Sequence, residues 1–202
     1  MSAKVKKPEI TVFAGPNGSG KSTITELLRP LHVTYINADD IKRILDCSDL
    51  EAAEIAQGQR EKCIEKKQDF CFETVLSTDR NLRLLERAKD EGFFIRCYYI
   101  LTADPQINIA RVASRVSAGG HGVPEDKIIS RYDKALELVR QLIPICDVCH
   151  IYDNSENAPY RIFKKRKEQC WYCPQRRLWL KPDIVALTGI DGLTKASLNK
   201  RK

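Results

Sequence analysis

ITVFAGPNGSGKST, residues 10 to 23, decides the fold. An apolar, β-prone run stops at Gly15, and Gly18 and Gly20 follow before Lys21 and Ser22 open a helical pattern. Residues 15 to 22 read GPNGSGKS, which matches GxxxxGK[ST] with a strand before it and a helix after it. The glycines let the backbone turn and aim successive N–H groups at phosphate oxygens, while the positive end of the following helix faces the same anion. Gly15, Pro16, Asn17, Gly18, Ser19, Gly20, Lys21, Ser22 and Thr23 are therefore the candidate ATP and Mg²⁺ contacts. Lys21 is placed to reach the β and γ phosphates, and Ser22 to bind the metal.

Outward from this loop, apolar runs alternate with helix-period segments. Strands are predicted at 10–15, 33–38, 69–76, 93–101 and 148–155, and helices at 21–29, 40–66 with a break near Ser48, 79–91, 105–117 and 125–142. Strand following helix in this rhythm implies an α/β, P-loop kinase-like three-layer sandwich around a mostly parallel sheet of five or six strands. Residues 1–157 form the expected core, with a lid at about 111–131. Residues 158–202 form a basic extension, a strand or hairpin pinned onto the core by Trp171, Trp179 and Leu180, with a disordered end.

Other residues fall where the carboxyl ends of parallel strands gather ligands. INADDIKR places Asn37, Asp39 and Asp40 there; one acid is expected to cap the next helix and the other to take the proton of an acceptor hydroxyl. FETVLST adds Glu73, Thr74 and Ser77, suited to metal or acceptor. Arg111 and Arg115 share a helical face, AGGHGVP carries His121, and Arg131 follows. Loose glycine-rich segments flanked by arginines serve kinases as lids that offset charge on the transferred phosphate. The competing reading is a solvated helix with a glycine turn.

The chain of 202 residues has 43% hydrophobic and 30% charged residues and a net charge of +7. Residues 160–202 alone hold 12 Lys+Arg against 3 Asp+Glu, leaving the rest slightly acidic. That tail is read as solvated, with nucleic acid as its alternative partner. No apolar run reaches the roughly 18 residues of a membrane span, so a cytoplasmic protein with reduced thiols is expected. Cys146, Cys149, Cys170 and Cys173 form two CxxC pairs with the spacing of a structural Zn²⁺ site, set against buried free cysteines.

The motifs GPNGSGKST, YINADDI, FETVLS, RVxxRVxxGGHxVPxxKIxxRY and IYDNS, in this order over about residues 8–156, resemble the zeta toxin-like family of small P-loop kinases. The resemblance implies ATP- and Mg²⁺-dependent transfer to a hydroxyl of a small molecule, in the known toxins the 3′ hydroxyl of UDP-N-acetylglucosamine, and an antitoxin partner. It assigns Asp39 as the proton acceptor, Glu73 as the glutamate of the substrate strand and Arg115 as a lid arginine. The sequence departs from that pattern at Thr74, Val75, Ser77 and His121, where the toxins hold the sugar nucleotide or place a second lid arginine. The alternatives are a nucleoside or nucleic-acid end kinase, and a nucleotide-binding regulator or ATPase.

Overall fold

A computed structural model describes residues 6–173 and 178–196. Five parallel strands form the core of one sheet: β1 (Glu9–Ala14), β2 (Thr34–Ile36), β3 (Phe70–Thr74), β4 (Phe94–Leu101) and β5 (Val148–Asp153). Their spatial order is β2-β3-β1-β4-β5, so β1 lies at the centre and is buried along nearly its whole length. The chain leaves β1 between β3 on one side and β4 on the other, a crevice at the carboxyl edge of the sheet where α/β proteins bind ligands.

Helix α1 (Lys21–Leu28) lies on one face, where its Ile24 packs with Phe13, Cys71 and Ile100. The opposite face carries the larger core, to which α3 (Asp49–Glu65), α4 (Arg80–Asp90), α6 (Glu125–Ile145) and α7 (Lys181–Thr188) contribute Ile64, Leu85, Leu142 and Ile184. Helices α2 (Ala38–Leu45) and α5 (Pro105–Ser117) stand over the carboxyl edge of the sheet. The expected break near Ser48 is real: its hydroxyl accepts from the Glu51 N–H while the Glu51 carboxylate accepts from the Ser48 N–H, a reciprocal cap that restarts the helix.

Among the described residues the sheet has eight strands rather than five or six, because the chain after Ser155 returns to its edge. Strands β6 (Tyr160–Arg166) and β7 (Gln169–Tyr172) add antiparallel, and the short β8 (Thr194–Lys195) pairs parallel to β7. Trp179 is buried, Trp171 is half-buried, and Leu180 is exposed. The buried Lys165 ammonium donates to the carbonyls of Ile143, Pro144 and Cys146, satisfying carbonyls that the end of α6 leaves without intrahelical donors. The expected disordered end of the chain lies outside the described residues.

Among the described residues no helix is long and apolar enough to cross a membrane. The two CxxC pairs do not converge, which corrects the zinc pattern expected of Cys146, Cys149, Cys170 and Cys173. Cys149 pairs in register with Lys165, and Lys165 with Cys170, so two strand spacings of about 4.8 Å each separate the cysteines. The sulfurs of Cys146 and Cys149 instead lie within 4.8 Å of that of Cys97 on β4.

Candidate active site

The loop after β1 is held from outside by groups that occupy its carbonyls. Asn108 of α5 donates to the Asn17 carbonyl at 2.6 Å, and Asn154, after β5, donates to the Ser19 carbonyl at 2.8 Å. Lys21 Nζ donates to the Pro16 carbonyl at 2.8 Å, and the Gly15 N–H donates to Thr74 O at 3.1 Å. With those carbonyls engaged, the N–H groups of Gly18, Gly20 and Lys21 have no acceptor among the described residues. Among the described residues the buried Ser19 hydroxyl, a further donor, is also without a partner. Such a set of free donors at a helix N-terminus fits a polyphosphate.

Glu73, at the end of β3, accepts from Ser22 Oγ at 3.1 Å and from the Tyr35 hydroxyl at 2.8 Å, and Asn37 Nδ2 donates to that hydroxyl in turn. Burial, with the Glu73 charge second, pushes the Tyr35 phenol far up, which keeps it a donor. The Ser22 hydroxyl and Glu73 carboxylate are hard oxygen ligands of the type that hold Mg²⁺ directly or through water.

The helix α2 is capped by neither acid. Asn37 Oδ1 accepts from the Asp39 N–H at 3.0 Å, which corrects the expectation that Asp39 or Asp40 takes that role. Asn fills the position as well as Asp does, and its use frees both carboxylates from capping. Asp40 pairs with Arg43 at 2.8 Å, whereas the charge of Asp39 acts on Lys21. The Thr74 hydroxyl, expected to face the acceptor, accepts from Asn81 Nδ2 at 2.8 Å and from the Leu76 N–H at 3.0 Å.

The three arginines separate. Arg115 is the one whose charge reaches Lys21, and its Nε donates to the His121 carbonyl at 3.0 Å, tying the glycine turn to α5. His121 and Arg131 act on Asp49 at the start of α3. Arg111 lines a cleft of about 340 Å³ with Thr23, Ile24 and Leu27 of α1 and Asn154 and Pro159 after β5, and its Nη1 is buried without a partner.

Burial lowers the Lys21 ammonium to about 8; the Glu73 and Asp39 charges oppose this and Arg115 reinforces it. The folded protein releases this proton near pH 8 and the unfolded chain near 10.5. Between those values the unfolded state binds more protons, so the stability of the nucleotide-free protein rises with pH across that window. Polyphosphate binding favours the charged lysine, so ATP affinity falls as pH rises above 8, by at most about tenfold per pH unit. Calorimetric titrations from pH 7 to 10 read this slope, and in Lys21→Arg it flattens because the guanidinium keeps its charge.

Sequence reasoning did not single out Tyr35, Asn108 or Asn154. Asn154 was visible inside IYDNS without a role, and Asn108 was visible as an amide in an otherwise apolar helical turn.

A central parallel sheet, a glycine-rich loop running into a helix and an Asp/Glu pair around the loop lysine define a P-loop protein of the kinase-like type. The zeta toxin family model matches residues 1–165; the chain belongs to the zeta toxin family. An uncharacterized protein of Haemophilus influenzae is 31% identical over 125 residues, covering 59% of this chain and 89% of that one. Among solved structures, a chain of the PezAT chromosomal toxin-antitoxin system of Streptococcus pneumoniae superposes with a TM-score of 0.57 at 16% identity, covering 80% of this chain and 73% of that one. The AvrRxo1-ORF1:-ORF2 complex with ATP gives a TM-score of 0.70 at 11% identity, covering 95% and 66%. At these identities the structural likenesses establish the fold.

Proposed function

We propose that the chain is an ATP- and Mg²⁺-dependent phosphotransferase acting on a hydroxyl of a small molecule. The observation that carries this reading is that the charges of Glu73, Asp39 and Arg115 all act on the half-buried Lys21, beside a loop whose N–H groups have no acceptor among the described residues. Family membership and the ATP-bound AvrRxo1 complex of the same fold support the choice of donor.

ATP is the donor substrate. The loop N–H groups and Lys21 hold its triphosphate, and the cleft beside Arg111 receives the base. Ser22 and Glu73 would hold Mg²⁺, which when bound would supply charge neutralisation at the phosphates. Asp39 accepts the proton of the acceptor hydroxyl as that oxygen bonds to the γ phosphorus. The bond from the γ phosphorus to the bridging oxygen breaks, and ADP leaves. Arg115 closes over the transfer with the glycine turn, offsetting negative charge on the phosphoryl oxygens. Arg111 and Arg131, expected to close with it, are assigned to the base cleft and to the seam between lid and α3.

UDP-N-acetylglucosamine is the leading acceptor on family grounds, and an antitoxin the leading protein partner; the PezAT structure is of a toxin-antitoxin system and the AvrRxo1 structure of ORF1 with ORF2. With γ-labelled ATP and UDP-N-acetylglucosamine, label is expected on the sugar nucleotide. Label confined to free phosphate in that mixture rules this acceptor out.

A further inference from the structure

Cys97, Cys146 and Cys149 come from three elements of the fold: the middle of β4, the C-cap of α6 and the start of β5. Their sulfurs nevertheless lie within 4.8 Å of one another, and none of the three residues is more than 1% exposed. All are free cysteines, and each thiol is hydrogen-bonded to the other two. Cys97 and Cys149 are in-register partners on neighbouring strands, and the Cys146 sulfur is held against the Leu142 carbonyl at 3.3 Å. Three sulfurs set about 2.3 Å from a common ion stand about 4 Å apart, so this spacing needs at most a small adjustment to hold one.

A buried positive charge stands beside the cluster. Lys165, the in-register partner of Cys149, donates from Nζ to the carbonyls of Ile143, Pro144 and Cys146. Those bonds use its three donors, yet among the described residues no ion pair includes it. Asp147, next to Cys146, is given to Lys89 at 2.6 Å and to the Ile95 N–H at 2.8 Å. The Lys165 charge acts instead on Cys146 and Cys149, in the sense that favours their thiolates. A buried cation without a counter-charge is costly, and three thiolates around a small cation leave negative charge for it to offset.

The ligand set selects the ion. Among the described residues no further His, Cys, Asp or Glu ligand atom lies within 4.8 Å of all three sulfurs. His150 follows Cys149 on its strand and so points to the opposite face of the sheet, where it stacks on Tyr98. Structural Zn²⁺ takes four ligands, whereas three soft thiolates shielded from water suit Cu(I). We propose that Cys97, Cys146 and Cys149 form a buried trigonal Cu(I) site, with Lys165 as its charge partner, that fastens the end of α6 to β4 and β5. Binding exchanges three thiol protons, which leave to solvent, for one ion, and no electron is transferred. The site lies on the sheet face opposite α1 and stands whether or not the chain is a kinase.

The test incubates the reduced full chain anaerobically with Cu(I) buffered by bicinchoninate, then measures copper per chain and its coordination by X-ray absorption. One ion bound by three sulfurs is expected, with a melting temperature raised by about 5 to 10 °C at roughly a hundredfold excess of free ion over its dissociation constant. Affinity falls by about a hundredfold or more in Cys97→Ala and in Cys149→Ala. The double variant Cys47→Ser/Cys170→Ser alters partly exposed thiols outside the cluster and keeps wild-type binding. Stoichiometry and sulfur count are read on the wild-type chain, so they decide the matter even if the alanine variants unfold. No ion held by the wild type against the chelator, binding retained in a folded Cys149→Ala, or binding lost in the double variant overturns the proposal. Zn²⁺ bound in preference to Cu(I) in a parallel arm overturns the choice of ion.

Discussion

Gly15→Ala is expected to abolish nucleotide binding and to lower stability by about 4 kcal/mol or more, at the far end of what single substitutions do. Gly15 has φ of 139°, and a Cβ added there would lie 1.9 Å from the Ile100 carbonyl oxygen. That oxygen belongs to β4, which pairs with β1 over six register positions, so it cannot retreat without opening the centre of the sheet. The positive φ adds strain that glycine alone escapes. Thermal unfolding measures the stability loss, and ATP titration of whatever folded fraction remains measures the binding. A variant that melts with wild type and binds ATP normally would mean that the loop is not built as described.

Asp39→Asn carries the second large effect. The substitution keeps the shape of the side chain and leaves the Asn37 cap to the Asp39 N–H untouched, because the cap uses the backbone. Fold and ATP affinity are therefore expected to stay within about twofold, while phosphate transfer to the acceptor falls by 10²- to 10⁴-fold, the usual range for a general base. The fall belongs in kcat, since the carboxylate acts on the proton that moves in the transition state. Slow release of free phosphate continuing unchanged, with no transfer in wild type either, would point to the hydrolysing regulator instead.

The strand-and-helix rhythm up to Asp153 was legible because the strands are apolar runs and helices such as α4 and α5 keep their period. The pattern then failed at β6 for physical reasons. A register shift between Ile151 and Tyr152 breaks the two-residue alternation, and Lys165 is buried as the terminus of α6 requires. A strand reading YRIFKKR thus looks like a solvated basic tail, although part of it lies inside the core. In the proposed site, Lys21 stands in the loop motif, and Asp39, Glu73 and Arg115 are the positions that the family resemblance singles out. The cap on α2 was misread because Asn37, Asp39 and Asp40 are all residue types that cap helices, and only the backbone shows which does. The division of labour proposed for Arg111, Arg115 and Arg131 rests on their separate surroundings in the fold, which spacing along the chain does not encode.

The central claim is that this site moves phosphate to an acceptor. The most direct measurement incubates the protein with γ-labelled ATP and a metabolite extract and uses mass spectrometry to seek any compound that gains a phosphate. The account predicts such a product with the wild-type chain and none with Lys21→Ala or Asp39→Asn. Label found only as free phosphate, at the same rate with Asp39→Asn as with wild type, would contradict it.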